Sequence, residues 1–280
     1  MSEPDAAPPD SAPAQSNLVM RILAAAVLAP LAIAVAYAGG WLWAFLVTLV
    51  SIGLFAEWLL VVGAGSAALT LTGTIMIAIM GFCVAFGGLK TAVIAGCIGG
   101  AIVAVIARGK FVWAATGFAY ASAALLASIL VRQDPKNGFA ALMFVLLVVW
   151  ASDIGGYFAG KGLGGPKLWP RVSPKKTWAG AIGGFAASLA VAAGFTAAGI
   201  GKLVPLVLVG ALLSVVSQAG DLFESAVKRR FGVKDSSHLI PGHGGLLDRL
   251  DGFVAAILMA WIIGFLRHGV HSAGSGLMVW

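Results

Sequence analysis

The chain has 280 residues, of which 60% are hydrophobic and only 10% charged, and its net charge is +7. A soluble domain carries about a quarter charged residues, so a soluble globular protein is excluded. The two cysteines, Cys83 and Cys97, lie inside apolar runs and read as small buried hydrophobes, not as a disulfide framework.

Residues 1–17 are rich in Ser, Pro, Ala and Asp and show no apolar period, which predicts a disordered tail. They lack the basic start of a secretory signal, so the first apolar run reads as a retained span. Apolar runs of about 17–25 residues, enough to cross a hydrocarbon core of roughly 30 Å, recur from there on. Nine spans are expected, over 20–38, 41–62, 68–88, 91–107, 111–131, 139–158, 179–200, 203–222 and 252–267. The runs do not alternate with period two, and only helices or closed barrels satisfy the backbone in lipid, so strands are not expected. The fold class is all-α: a polytopic integral membrane protein of about nine transmembrane helices with cytoplasmic polar loops. Residues 18–152 form the first helices, 153–268 a catalytic region and 269–280 a short tail. With the N-terminus inside, thirteen Lys and Arg fall in inner segments and five in outer ones, which favours that orientation. The basic residues sit in loops between spans, where anionic headgroups and phosphorylated substrates suit them better than nucleic acid does.

Tyr37, Trp41 and Trp43 resemble an aromatic belt at the outer interface. Glu57, near the cytoplasmic end of the second span, reads as a polar packing contact. Of the eleven acidic residues, Asp153, Asp221, Glu224, Asp235, Asp248 and Asp251 gather in one stretch. Acids at membrane depth are functional candidates by default. After Asp153 comes a loop with Lys161, Lys167, Arg171, Lys175 and Lys176 among Gly and Pro. Its Ser173-Pro174-Lys175-Lys176-Thr177 run mixes ammonium and hydroxyl donors that suit phosphate oxygens. An ordinary positive-inside loop is the plainer account. A P-loop is excluded, because no GxxxxGK[ST] run occurs.

Asp221, Glu224, Ser225 and Lys228 are spaced by three and four, so they share one helix face. A helix-end ion pair with Lys228 explains them most simply. Pro241, Gly242, Gly244 and Gly245 force a tight turn through which backbone N–H groups can approach an anion. Asp248 and Asp251 then stand one turn apart at a helix start, where capping is the simple explanation. Hard oxygen ligands next to phosphates are also how Mg²⁺ is held, and Asp248 and Asp251 with Asp221 could clamp one or two such ions. His243 either bonds a phosphate or shapes the turn. His238, His243, His268 and His271 lack zinc-like spacing.

The stretch Ser225–Asp251 resembles the signature of the phosphatidate cytidylyltransferases (CDP-diacylglycerol synthases). Ser225, Val227, Lys228, Arg229, Lys234, Asp235, Ser237, Ile240, Pro241, His243, Gly244, Gly245, Leu246, Asp248, Arg249, Leu250 and Asp251 meet it. Gly220-Asp221-Leu222, Glu224 and Ser173–Trp178 with Gly180 are similar to the family as well. Ala179 departs from it: Glu is usual there, and the change bears on the geometry of the lysine loop or on nucleotide affinity. The resemblance implies CTP and phosphatidate as substrates, CDP-diacylglycerol and pyrophosphate as products, a Mg²⁺ requirement, an all-helical fold and a homodimer. It implies catalytic roles for Asp221, Lys228, Asp248, Arg249 and Asp251, with Asp221, Asp248 and Asp251 as metal ligands. Asp153, Ser173, Lys175, Lys176, Thr177, Ser225, Arg229, Lys234 and His243 would contact substrate. The expected location is a bacterial inner membrane, with the site facing the cytoplasm.

A transporter would put polar residues near the midplane in paired broken helices, whereas these charges gather at one face. A CDP-alcohol phosphotransferase would need Arg where Ala256 stands. A CTP-dependent enzyme with a different lipid acceptor remains open.

Overall fold

A chain this apolar must close its backbone hydrogen bonds within each segment, and it does so almost entirely in helices. The computed structural model describes residues 29–237 and 244–280. The expected tail, the start of the first span and His243 lie outside them. The helices are α1 (Ala29–Ala38), α2 (Gly40–Val61), α3 (Ala67–Phe82), α4 (Leu89–Ala107), α5 (Phe111–Arg132), α6 (Gly138–Leu163), α7 (Trp178–Ala197), α8 (Leu203–Arg230), α9 (Leu247–His268) and α10 (Ala273–Met278). Among the described residues, seven stretches are long and apolar enough to cross a membrane. One runs from Leu89 to Arg132 and is folded back at Arg108, whose φ of 47° reverses the chain between α4 and α5. Two helices outrun their expected spans: α6 continues to Leu163 and α8 to Arg230.

Three expectations are corrected. Strands were not expected, yet β1 (Lys167–Trp169) and β2 (Ser173–Thr177) form an antiparallel hairpin, with Lys167 opposite Thr177 and Trp169 opposite Ser173. Outside lipid a short polar hairpin needs no closed sheet, and Pro170 helps turn it. Cys97 is exposed on the outer face of α4, while Cys83 is half-buried. Trp43 is buried instead of interfacial, because its indole donates to the Ser128 carbonyl of α5 at 3.1 Å. Tyr37 and Trp41 are exposed as a belt requires.

Missing side chains set the packing. A Cβ on Gly73 would overlap the Phe55 ring, and one on Gly117 the Trp58 indole. These two fully buried aromatics therefore pin α2 to α3 and α5. Trp58 also donates to the Trp113 carbonyl at 2.8 Å and stacks on Tyr120 and Phe223. Helices α6 and α7 pack backbone to backbone: a Cβ on Gly155 would lie 2.9 Å from the Gly183 carbonyl oxygen, and one on Gly184 would overlap that of Ser152. Small residues permit such contact where no hydrophobic drive between helices exists. Hydroxyls bind the same seam, with Ser188 donating to the Val148 carbonyl at 3.0 Å and Ser152 meeting Ser214 of α8 at 3.2 Å.

The C-terminal helix α10 is tethered by Asp134, which accepts from the backbone N–H groups of Ser275 (2.6 Å), Lys136 (2.9 Å) and Asn137 (3.1 Å). Burial alone would raise this carboxyl, but the hydrogen bonds from Ser275, Asn137 and Lys136 outweigh it and hold the group below the usual range. The tether is thus complete at neutral pH and is lost only as pH falls through that lowered value.

Gly184→Leu should force α6 from α7, at a cost of about 1–3 kcal/mol. Thermal unfolding in detergent checks it against Gly194→Leu, whose Cβ would meet nothing within 4 Å and which should leave the melting midpoint unchanged. Asp134→Ala should release the C-terminus. Limited proteolysis should then cut near Ser272–Ser275 at pH 7, where the parent resists.

Candidate active site

One face of α8 carries Asp221, Glu224, Ser225 and Lys228, as their spacing predicts, and the surrounding elements converge on it. Helix α9 crosses α8 at two glycines. A Cβ on Gly220 would sit 2.8 Å from the Asp251 carbonyl oxygen, and one on Gly252 2.6 Å from Ser217 Oγ. That close crossing brings the first turn of α9, with Asp248 and Asp251, beside Asp221 and Glu224. On the other side, the α6–α7 seam and the hairpin deliver Asp153, Lys175, Lys176 and Thr177. Gln218 donates to the Ala181 carbonyl at 3.3 Å and so joins α8 to α7.

Two polar centres result. The first is a cavity of about 390 Å³ lined by Ser152, Asp153, Lys161, Lys175, Lys176, Thr177, Gln218 and Asp221. Glycines 156, 160 and 180 form its thin wall. Within it Lys176 is paired with Asp221, and Ser225 donates to Asp221 at 3.4 Å. Thr177 caps α7, its hydroxyl accepting from the Gly180 N–H at 3.1 Å. Ser173 starts β2, and Ala179 lies in the first turn of α7, which carries no acidic residue.

The second centre lies between α8 and α9. Lys228 Nζ stands 2.5 Å from Asp248 and 2.9 Å from Glu224. Asp248 also accepts from the backbone N–H groups of Ser236 (3.0 Å) and Gly245 (2.9 Å) and from Ser236 Oγ (3.0 Å). Glu224 is 1% exposed, and neither of its oxygens has a well-oriented hydrogen bond despite the nearby ammonium. Asp251 lies within electrostatic reach of Asp221, Glu224 and Asp153. Asp153 in turn feels Lys176 and Arg249. The carboxylates Asp153, Asp221, Glu224, Asp248 and Asp251 thus share one region with the cations Lys161, Lys175, Lys176, Lys228 and Arg249.

Among the described residues, no three His, Cys, Asp or Glu side chains are arranged to hold a metal ion as they stand. The carboxylates gathered there nevertheless supply the hard oxygen donors that a divalent cation takes, and Glu224 among them is buried against the Lys228 ammonium. Arg229 binds the carbonyls of Val172 (3.4 Å) and Val233 (3.1 Å), strapping the hairpin to the chain after α8. Lys234 is exposed three residues further on than Phe231.

Glu57 is the polar packing contact expected of it, with an extensive set of partners. It is 3% exposed and accepts from Ser236 Oγ, Ser237 Oγ and the N–H groups of Leu246 and Leu247. The available signal was its isolation, since it is the sole charged residue between Arg21 and Lys90. Ser236 and Gln218 gave no comparable signal.

The pattern of the cytidylyltransferase family matches residues 19–266. The phosphatidate cytidylyltransferase of Brucella suis biovar 1 is 42% identical over 265 residues, covering 89% of this chain and 94% of its own. The enzyme of that name from Haemophilus influenzae is 45% identical over 131 residues, or 45% of this chain and 46% of its own. That from Bacillus subtilis is 43% identical over 128 residues, 44% of this chain and 47% of its own. With its pattern met over residues 19–266, and a relative this similar along nearly its full length, the chain belongs to the cytidylyltransferase family.

Proposed function

We propose that the chain transfers CMP from CTP to phosphatidate, giving CDP-diacylglycerol and pyrophosphate. The observation that carries this reading is the lysine- and aspartate-lined cavity of about 390 Å³, set at the end of three apolar helices in a chain whose relatives bear the name phosphatidate cytidylyltransferase. In this reading the chain crosses the inner membrane nine times, acts as a homodimer and keeps both polar centres on the cytoplasmic side. A lipid headgroup then reaches the site laterally while its tails stay in the bilayer.

A phosphate oxygen of phosphatidate attacks the α-phosphorus of CTP. The new P–O bond forms as the bond to the bridging oxygen breaks, and pyrophosphate carries that electron pair away. The nucleophile is already an anion, so no covalent enzyme intermediate is needed and catalysis is positioning plus charge neutralisation. Lys175 and Lys176 neutralise phosphate oxygens in the cavity that Thr177 helps to line, and Ser173 meets substrate from the start of β2. Lys228 belongs to the second centre, Arg249 acts near Asp153 of the first, and Arg229 and Lys234 are further cations for the phosphates. Asp153 repels phosphate from its own wall and so orients the chain of phosphates. Asp221, Asp248 and Asp251 would hold Mg²⁺, one or two ions, and the metal would supply further charge neutralisation at the phosphates.

Purified protein in detergent should release pyrophosphate only when CTP, Mg²⁺ and dioleoyl phosphatidate are all present. Release with a different lipid acceptor alone would move the reading to that acceptor. Asp221→Asn should lower kcat roughly a hundredfold or more. It should stay folded, because a half-exposed ion pair contributes only about 0–1 kcal/mol. A rate near that of the parent would remove Asp221 from the site. Lys175→Ala should raise KM for CTP or phosphatidate about tenfold with a smaller effect on kcat; unchanged KM for both would exclude its role.

A further inference from the structure

We propose that Glu57 is a positioning residue of the active site, which fixes Asp248 by clamping both chain segments that hold it. The inference rests on the cytidylyltransferase reading and adds to it a residue from the first half of the chain. Glu57 sits on α2, next to Trp58, whose indole is locked against α5. The backbone carrying the carboxylate is therefore fixed before it meets its partners.

The contacts form a symmetric set. Oε1 accepts from Ser237 Oγ at 2.7 Å and from the Leu246 N–H at 2.8 Å. Oε2 accepts from Ser236 Oγ at 2.8 Å and from the Leu247 N–H at 2.7 Å. One carboxylate thus ties the chain after α8 to the start of α9 and satisfies two N–H groups that a helix start leaves unpaired. A negative charge is also favoured at that helix end. Ser236 carries the effect onward: its N–H and Oγ both lie 3.0 Å from Asp248 Oδ2, leaving Oδ1 for Lys228 at 2.5 Å. The Ser236 hydroxyl has one proton and two carboxylates within reach, so it joins Glu57 and Asp248 into one network. Gly245 is compelled by the same arrangement, because a Cβ there would lie 2.5 Å from Glu57 Oε2.

The geometry favours glutamate over its two nearest relatives. Serine hydroxyls can turn to accept, but backbone N–H groups cannot. Each oxygen of Glu57 faces one of each, so a glutamine amide meets an N–H donor whichever way it is flipped. Aspartate is one methylene too short to reach α9.

The test uses the full chain in detergent. Glu57→Gln should keep its melting midpoint within a few degrees of the parent and leave KM for CTP within about threefold, while kcat falls about tenfold or more. Glu57→Asp should not rescue it. Adding Ser236→Ala to Glu57→Gln should cost little more than Glu57→Gln alone, since both act through one network. Hydrogen exchange without substrate should quicken about tenfold at the amides of residues 236 and 245–247. Unchanged exchange there overturns the clamp whatever the activity. A parent protein that released no pyrophosphate would instead sink the cytidylyltransferase reading, with the exchange result still deciding the contacts. A lowered midpoint with parental kcat per folded molecule would reduce Glu57 to a structural role. Should Glu57→Gln fail to fold, the pair Ser236→Ala and Ser237→Ala removes two of the four donors, and a parental kcat in that variant overturns the proposal.

Discussion

The ammonium of Lys228, held between Glu224 and Asp248, is the interaction on which the site depends. Charges taken out of water in an apolar bundle are tolerated only when paired and hydrogen-bonded. Breaking such a pair by removing one partner costs about 3–5 kcal/mol, because the other charge is left uncompensated. Asp248 meets the requirement fully, with Ser236 and Gly245 supplying the rest of its donors. Glu224 shares the same ammonium, and Asp251 beside it adds a further negative group, so this part of the cluster has capacity for another positive charge.

Glycine spacing turns this electrostatic need into a defined geometry. Gly220 and Gly252 let α8 and α9 approach closely enough for Asp221 and Asp251 to sense each other. Gly180 and Gly156 do the same for α7 and α6 where they line the cavity. Interhelical hydroxyl contacts, such as Ser152 with Ser214, then fix register without adding bulk. The lysines of the hairpin enter this frame from outside the bundle. Lys176 already occupies Asp221, so an arriving phosphate would exchange one partner for another instead of meeting an unpaired cation.

The helices were legible in the chain because apolar length and backbone satisfaction leave few alternatives. The shared face of Asp221, Glu224, Ser225 and Lys228 followed from helical spacing alone. The hairpin was not legible: Lys167–Thr177 is polar and short, and no alternation announces its pairing. Trp43 looked interfacial because nothing local reveals that its indole meets Ser128, 85 residues away. Glu57 shows the same limit more sharply. Its sequence position suggested no more than polar packing, and its partners lie 179 to 190 residues further on, a distance no local pattern spans. His243, prominent in the sequence, falls outside the described residues.

In the proposed mechanism the site holds and neutralises phosphates, and no side chain attacks the substrate. Ser225, the hydroxyl nearest the acidic face of α8, is turned onto Asp221 and serves that carboxylate. The most direct test is the stereochemistry of transfer, using CTP made chiral at the α-phosphorus with sulfur and oxygen isotopes. A single in-line displacement by the lipid phosphate predicts CDP-diacylglycerol with inverted configuration. Retention would require two displacements through a covalent enzyme intermediate and would contradict the account.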